Sequence, residues 1–403
     1  MNVVIKKYLQ GDMVIWAVVF LLSLISVMAV FSATNNLAHY EKGGHTEFYL
    51  IKHLAIIVLG WGMIYGIHKV PHQYFSRIAQ ILLWLSIPLL AITLVAGTSV
   101  NSASRWLTLP VINITFQTSD LAKLALIAFL ARQLSQRQEK MDDFKEGFLQ
   151  IVWPVIIVCA LIFPANFSTS AVLFTTSLIL MFIGRVKIKY LAGLVSAAIL
   201  AGTFILLLSY VIPMEKIGLG RVETWKNRIE TYFTSEETEG MADANYQTEQ
   251  AKIAIATGGA FGVGPGNSVQ RNRLPSAYAD FIFAIIIEEW GSVIGGLGVL
   301  FLYLILLFRG LRIVHKGTTT FGTLLAFGCM FSLIFQAFIN MAVAVNLFPV
   351  TGQPLPLLSM GGTSIWFTSI AIGMILSVSR SLAQPKDAKA DTNYELATNM
   401  TNT

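Results

Sequence analysis

Charge is scarce in this sequence. Asp, Glu, Lys and Arg make up 12% of the 403 residues, against about 25% in a soluble domain. Hydrophobic residues supply 55% of the chain, so too few polar side chains remain to cover a soluble surface. Cysteine is scarce too: Cys159 and Cys329 both lie in apolar stretches, where a lone thiol behaves as a small apolar side chain. We therefore expect an integral membrane protein without disulfides.

Motifs for cofactors are missing as well. The glycine-rich residues 258–266 lack the spacing and the Lys-Ser/Thr ending of a phosphate-binding loop, so tight turns are their expected role. The histidines are scattered, and His68 with His72 alone provide too few ligands for zinc. These absences argue against a primary pump and against a redox enzyme.

Long apolar stretches are what the sequence has in abundance. A stretch of about 20 apolar residues is long enough to cross a bilayer as a helix. Two of the stretches are separated only by residues 164–167, where Pro and Asn interrupt the apolar run. We predict an all-α polytopic membrane protein with ten transmembrane helices, over residues 13–33, 49–68, 78–97, 115–134, 149–165, 168–184, 188–212, 281–308, 321–345 and 364–383.

The positive charges set the orientation of these helices. With ten spans and a cytoplasmic N-terminus, Lys and Arg gather in the inner segments and are almost absent from the short outer loops. Merging the fifth and sixth spans would place Arg185, Lys187 and Lys189 outside, so two separate spans are favoured. Both termini are thus expected in the cytoplasm. Residues 1–383 form the predicted membrane domain, with its first span retained as an anchor, and residues 384–403 a disordered tail.

One large outer segment, residues 213–279, lies between the seventh and eighth predicted spans. Residues 222–233 and 246–257 show helical apolar spacing, and the acidic residues 235–240 are expected to be exposed. The Lys and Arg side chains of the segment are roughly balanced by acids. They form either a solvated, salt-bridged surface or, for some of them, a site for a diphosphate headgroup.

Residues 349–364 join the last two predicted spans and are rich in proline, glycine and hydroxyl groups. Prolines at 349, 354 and 356 remove backbone donors, and the pair Gly361-Gly362 permits unusual backbone angles. Irregular backbone survives at membrane depth only inside protein or beside a water-filled cavity, so we predict that this segment folds back into the helix bundle. It contains no titratable side chain, so it can form the wall of a site but cannot supply a base.

Ionisable side chains mark the eighth and fourth spans. Asp280 lies at the outer mouth of the eighth span, where it could cap the helix N-terminus or act as a general base in a groove at the membrane surface. Glu288 follows deeper in the same span, on the same helical face about 12 Å away. With Glu289 it is expected to serve internal pairing or partner signalling. In the fourth span, Asp120 and Lys123 are three residues apart and can pair.

These motifs together resemble the FtsW/RodA/SpoVE (SEDS) family over nearly the whole chain. Members of that family have ten transmembrane helices and a large outer loop between the seventh and eighth, and they polymerise lipid II into glycan strands. The resemblance rests on Arg105-Trp-Leu, Phe116-Gln-Thr-Ser-Asp120-Leu-Ala-Lys123, Tyr246-Gln-x-x-Gln250, Asp280-Phe-Ile-Phe-Ala, Glu288-Glu289 and the pattern from Pro349 to Ser364.

The resemblance implies an inverting peptidoglycan glycosyltransferase of the bacterial inner membrane. A class B penicillin-binding protein transpeptidase and other divisome proteins are the implied partners, and Asp280 matches the family's essential outer aspartate, the implied base. Cations of the site would stabilise the diphosphate of lipid II, directly or through a divalent ion such as Mg²⁺ or Mn²⁺. The implied substrate-binding residues are Arg105, Asp120, Lys123, Gln247, Gln250, Arg273, Ser359 and Ser364.

The chain departs from the family pattern at a few positions. Thr118 and Asp120 stand where Pro and Glu are usual, so the carboxylate is retained but set back by one methylene. Met360 stands where Tyr is usual, so the hydroxyl lost there cannot be essential in this chain. Asn346 replaces a small residue or threonine. The likeness around residues 340–374 favours the division-specific FtsW branch, at the septum, over the elongation-specific RodA branch.

Two other classes of function compete with the polymerase. A lipid II flippase would need ionisable groups along a pathway that reaches both faces, whereas this chain concentrates them toward the outer side. A non-catalytic scaffold of the division machinery would use the large outer loop only to recruit enzymes.

Overall fold

The computed structural model describes residues 8–34, 46–100, 103–109, 114–211, 222, 224, 226, 242–274 and 277–383. Short turns of 3-10 helix lie at Gln138–Lys140 and Gln270–Asn272, and π-helical turns at Phe144–Phe148 and Gly291–Leu297. The helices are α1 (Met13–Ala33), α2 (Thr46–Lys69), α3 (His72–Ala96), α4 (Thr118–Gln136), α5 (Leu149–Ile162), α6 (Phe167–Ile183), α7 (Ile188–Ser209), α8 (Ala242–Gly258), α9 (Ile282–Trp290), α10 (Gly298–Lys316), α11 (Thr320–Ala344) and α12 (Thr363–Ala383).

Helices lie at all ten predicted positions. Eight helical stretches of the described chain are long and apolar enough to cross a membrane. They contain α1, α2, α3, α5, α7, α9 with α10, α11 and α12. The helix α6 is apolar but only 17 residues long, and α4 carries Asp120, Lys123 and Arg132. The prediction of an all-α polytopic membrane fold is confirmed, while the count of ten spans stays a prediction.

Polar caps show why two of the helices begin where they do. Asp12 accepts a hydrogen bond from the Val14 amide at 2.9 Å, and its second oxygen accepts one from Arg309 Nε of α10 at 2.8 Å. Asn166 accepts a hydrogen bond from the Thr169 amide at 3.2 Å. This cap starts α6 as a helix separate from α5, in agreement with the two spans that the charge pattern predicts.

The centre of the bundle is formed by α4 and α11, whose side chains are mostly buried. Around them, α3 and α10 pack along α4 and α11 respectively, and α2 packs along α12. The helix α7 lies at the edge, where Leu191 is its one buried side chain. The most enclosed part of the molecule therefore surrounds the ionisable pair of α4.

A small antiparallel sheet lies between α3 and α4, where the sequence predicts no strand. Its strands are β1 (Thr98–Val100), β2 (Ala103–Leu109) and β3 (Ile114–Gln117), in that spatial order. Trp106 of β2 pairs with Thr98 on one side and with Gln117 on the other. The Gln117 amide also donates to Thr363 Oγ1 at 3.3 Å, so the sheet is attached to the start of α12.

The predicted eighth span is not one straight helix. Gly291 ends α9 with a φ of +79°, and a Cβ there would lie 2.3 Å from the Ala260 carbonyl oxygen, so glycine alone fits this turn. A Cβ on Gly295 would lie 2.5 Å from the Ile286 carbonyl oxygen, which shows that the chain folds back on α9 after this turn. Phe281 occupies the cap position of α9, so Asp280 lies one residue before the cap.

The large outer segment is described only in part. The prediction of a helix at residues 246–257 is confirmed by α8. The predicted helix at residues 222–233 falls almost entirely outside the described residues. The acidic residues 235–240 and the tail 384–403 fall outside them completely.

Residues 349–362, here called the re-entrant segment, fold back into the bundle as predicted. The Tyr303 hydroxyl of α10 donates to the Pro356 carbonyl oxygen, and Ser26 Oγ of α1 donates to the Leu358 carbonyl oxygen at 2.9 Å. Ser26 lies about 20 Å along α1 from its first residue. Side chains of the helices thus satisfy the irregular backbone in the interior of the bundle.

Candidate active site

Asp280 lies just before α9, against the re-entrant segment. A Cβ placed on Gly352 would lie 3.6 Å from Asp280 Oδ2, so the carboxylate is adjacent to the Gly352 backbone. Gly352 has a φ of +65°, in the left-handed region that favours glycine. This glycine therefore allows both the local turn and an uncovered backbone surface beside the carboxylate.

Asn340 of α11 holds both sides of this contact. Its Nδ2 donates to the Asp280 carbonyl oxygen at 2.8 Å and to the Gln353 carbonyl oxygen at 2.7 Å. Carbonyl oxygens only accept, so these two bonds fix which end of the amide is the nitrogen. Asn340 is 1% exposed. One buried side chain thus joins the main chain of Asp280 to the residue that follows Gly352.

Ser359 and Met360 hold the two residues that precede Asp280. Ser359 Oγ donates to the Ala279 carbonyl oxygen at 2.5 Å and accepts from the Leu355 amide at 2.7 Å. The Met360 amide donates to the Tyr278 carbonyl oxygen at 2.9 Å. Ser359, predicted as a substrate-binding residue, therefore uses its hydroxyl to bind protein backbone on both sides.

The ion pair expected in the fourth span is present and is linked to the same segment. Lys123 Nζ lies 3.2 Å from Asp120 Oδ1 and donates to Gln336 Oε1 at 3.0 Å. Gln336 Nε2 in turn donates to the Pro354 carbonyl oxygen at 2.9 Å. The pair and Ser364 line a cavity of about 40 Å³, which is room for about three water molecules.

The other predicted site residues lie on elements around this centre. Gln250 is buried and Gln247 half-buried on α8, which packs along α9. Arg273 is exposed, seven residues before Asp280, and Arg105 lies in β2. The structure therefore groups Asp280 with Ser359, and Asp120 and Lys123 with Ser364, and the re-entrant segment connects these two groups.

Glu288 anchors part of the outer segment to α9. Its carboxylate is fully buried and accepts hydrogen bonds from Ser268 Oγ, from the Val269 amide at 3.0 Å and from the Gln270 amide at 3.2 Å. A buried carboxylate with three donors is satisfied within the protein, as the expectation of internal pairing requires.

Glu289 lies next to it, at the end of α1. Glu289 accepts a hydrogen bond from Ser32 Oγ, and the same hydroxyl accepts one from Arg271 Nη1 at 2.8 Å. Ser32 belongs to the last turn of α1. Glu289 therefore lies beside the last turn of α1, and the turn at Gly291 ends the straight helix that the sequence predicts for the eighth span.

Three amide side chains of this site were missed by sequence reasoning: Gln336, Asn340 and Gln353. Gln336 and Asn340 are four residues apart on α11, so they lie on one face of the helix. Polar side chains in an apolar membrane helix mark contacts inside the bundle. That spacing is the signal that could have identified them, whereas Gln353 sits in irregular backbone and gives no such pattern.

A resident metal site is not formed by the residues that the structure describes. Among them, no three His, Cys, Asp or Glu side chains come together in a way that could hold an ion. Asp120, the nearest candidate on α4, is already paired with Lys123. Magnesium is usually held by one or two carboxylates together with substrate phosphates, so the divalent cation that the resemblance implies stays a prediction.

Comparisons with known proteins agree on one family. The family model for FtsW, RodA and SpoVE, described as "Cell cycle protein", matches residues 12–384. The probable peptidoglycan glycosyltransferase FtsW of Geobacter sp. (strain M18) is 31% identical over 374 residues, 91% of this chain and 96% of that protein. Stage V sporulation protein E of Bacillus subtilis (strain 168) is 30% identical over 384 residues, 93% and 98% of the two chains.

The fold also matches a solved structure. A chain from "Structural coordination of polymerization and crosslinking by a peptidoglycan synthase complex" superposes with a TM-score of 0.72 at 24% identity. The match covers 93% of this chain and 99% of the other. At that identity the likeness establishes the arrangement of the helices.

Proposed function

The chain belongs to the FtsW, RodA and SpoVE family of cell cycle proteins, and from this premise we propose that it is a peptidoglycan glycosyltransferase. It polymerises lipid II into glycan strands for septal cell-wall synthesis. Support comes from relatives that carry this activity in their names and align over almost their full length. The observation that supports the chemistry is the position of the Asp280 carboxylate. Asn340 binds the backbone of Asp280, and the carboxylate lies against Gly352 of the re-entrant segment.

Asp280 acts as the general base. Its carboxylate takes the proton of the acceptor's 4-hydroxyl while that oxygen forms a bond to the anomeric carbon of the donor. The bond from this carbon to the diphosphate oxygen breaks, and undecaprenyl diphosphate leaves with the electron pair. Attack opposite the leaving group inverts the configuration, so one base is sufficient and no covalent enzyme intermediate is required.

The buried polar residues around Asp280 keep this base in place. Asn340 and Ser359 hold the main chain of residues 279 and 280, and proximity effects of this kind are sensitive to displacements of about 1 Å. Lys123 acts on the same segment through Gln336. The cations that we propose to meet the diphosphate are Arg273 and Arg105.

A class B penicillin-binding protein is the proposed partner, and the division septum of the bacterial inner membrane is the proposed location. The similar chain in a peptidoglycan synthase complex supports an association with a cross-linking enzyme. The division branch is supported by the FtsW name of the Geobacter relative.

Purified protein tests the class of function directly. With its partner it should convert lipid II into glycan chains, and in vesicles it should not move labelled lipid II between leaflets. Translocation without polymerisation would establish a flippase instead. Partner binding with neither activity would establish a scaffold.

A further inference from the structure

A second cavity lies close to Asp280 and is not used by the chemistry described above. It occupies about 420 Å³ between α6 and α11 and is lined mainly by apolar side chains, together with Ser168, Thr175 and Thr351. Its walls include Phe167 and Ala171 of α6, and Phe335, Phe338 and Ala342 of α11. We call it the α6–α11 groove.

The groove is short. Along α11 it extends from Ala342 to Phe335, which is about 10 Å of helix. Further along, α11 packs tightly, because a Cβ on Gly328 would lie 3.1 Å from Leu180 Cδ2 of α6. A partner helix that crosses the membrane would need a contact surface of about 30 Å. A flexible apolar chain fits the available length better.

The upper rim of the groove leads to the catalytic carboxylate. Residues 348–351 line the groove, and the next residue, Gly352, is the one adjacent to Asp280 Oδ2. Consecutive Cα atoms are 3.8 Å apart, so the rim and the carboxylate are separated by about one residue. Gln353 Nε2 also donates to Thr169 Oγ1 of α6 at 2.6 Å, which ties the rim to the wall of the groove.

The chemistry of the reaction indicates which lipid has its chain at this place. In the donor, the anomeric carbon that is attacked is bonded directly to the diphosphate, and the polyprenyl chain begins on the other side of the two phosphates. In the acceptor, the reacting 4-hydroxyl lies at the end of the disaccharide that is farthest from its own diphosphate. An apolar chain that starts next to the base therefore belongs to the donor.

We propose that the α6–α11 groove holds the first isoprene units of the donor's polyprenyl chain, an inference that rests on the proposed function. The glycine at position 352 leaves the passage from Asp280 to the groove free of a side chain. After the diphosphate leaves, the same opening gives polyprenyl diphosphate a path back to the bilayer. The polyprenyl chain moves from the lipid bilayer to a similarly apolar protein surface. Selectivity for the chain therefore comes from packing contacts and not from hydrophobic transfer.

Single coupling between defined substrates tests this proposal. The donor is lipid II without its 4-hydroxyl, which can react once and only as donor, and it carries either an undecaprenyl or a farnesyl chain. The two groove-filling variants are Ala342→Phe and Ala171→Phe, from opposite walls. Ala197→Phe, on the exposed face of α7, is the matched control. All proteins are assayed as the complex with the partner.

Wild type and Ala197→Phe should couple the undecaprenyl donor about fivefold to tenfold faster than the farnesyl donor, a modest preference because it comes from packing alone. The groove-filling variants should lose this preference and keep the farnesyl rate. The chain length of the acceptor should have no effect. Three results would overturn the proposal. The groove-filling variants could lose the same fraction of the coupling rate with both donors, they could keep the wild-type preference, or the rate could depend on the chain length of the acceptor.

Photolabelling tests binding in the groove even when the protein does not turn over. Undecaprenyl diphosphate with a photoreactive group in its first isoprene units should label α11 near Phe338 in wild type and in Ala197→Phe, and not in Ala342→Phe. Labelling at another part of the bundle contradicts the groove. Correct labelling in a protein that couples neither donor would leave the groove in place and refute the proposed function.

Discussion

The two hydrogen bonds that Asn340 donates to the backbone of Asp280 and Gln353 lead to the most quantitative prediction. Asn340→Leu keeps the branched shape of the side chain and removes the two hydrogen bonds to the carbonyl oxygens of Asp280 and Gln353. Both oxygens then lie in a buried site without this donor, and the expected loss of stability is about 1–3 kcal/mol, since hydrogen bonds inside membrane bundles are individually modest. The variant should also polymerise lipid II more slowly. A displacement of the Asp280 carboxylate by about 1 Å lowers the rate by about 10²-fold.

The matched control is Tyr303→Phe. It removes the hydroxyl that donates to the Pro356 carbonyl oxygen in the same re-entrant segment, away from residues 278–280. Thermal unfolding should show a comparable loss of stability for the two variants, while lipid II polymerisation should fall less than about fivefold in Tyr303→Phe, because the base is not displaced. Equal loss of activity in both variants would mean that the segment acts only as a structural part of the bundle.

Two further variants probe the anchors of the site. Glu288→Gln should destabilise the outer segment by about 1–3 kcal/mol, because charge-assisted bonds from residues 268–270 become neutral ones. Hydrogen exchange of these amides should become faster, whereas the exposed Glu249→Gln should leave it unchanged; unchanged exchange in Glu288→Gln would show that the carboxylate does not hold the segment. Gly352→Ala forces a side chain into a φ of +65° and Gly362→Ala into +52°, so each should cost about 1–2 kcal/mol. Only Gly352→Ala should also lower the polymerisation rate, and equal rates in the two variants would contradict the placement of Gly352 beside the base.

Much of the fold follows from the sequence, because apolar length and positive charge are strong signals in membrane proteins. The split between α5 and α6 follows from Arg185, Lys187 and Lys189. The re-entrant segment follows from its prolines and glycines. In both places a physical constraint of the membrane leaves few alternatives.

The course of the chain after Asp280 could not be predicted in the same way. The residues from Phe281 to Val293 form an apolar run that is broken only by Glu288, Glu289 and the pair Gly291-Ser292. Hydropathy cannot distinguish a span from a buried helix that folds back. What decides the outcome is the tight approach of residues 258–262 to Gly291, a contact between distant parts of the chain. The strands β1 to β3 depend in the same way on pairing and on the bond to Thr363.

Within the site, sequence reasoning selected the charged residues and missed the amides. Asp280, Asp120 and Lys123 stand out because charge is costly inside a membrane. Asn340 and Gln336 act through hydrogen bonds to backbone of the re-entrant segment, so their role becomes visible only when that segment is placed. The contribution of Ser359 likewise depends on its contact with residue 279.

The carboxylate of Asp280 is the centre of this account, and one comparison tests it most directly. Asp280→Asn keeps the shape of the side chain and its backbone bond to Asn340, but it removes the base. In the complex with the partner, its rate of lipid II polymerisation should fall by at least about 10²-fold, the lower end of what general base catalysis contributes, while partner binding and thermal unfolding stay as in wild type. A folded, partner-bound Asp280→Asn protein that polymerises lipid II at the wild-type rate would contradict the assignment.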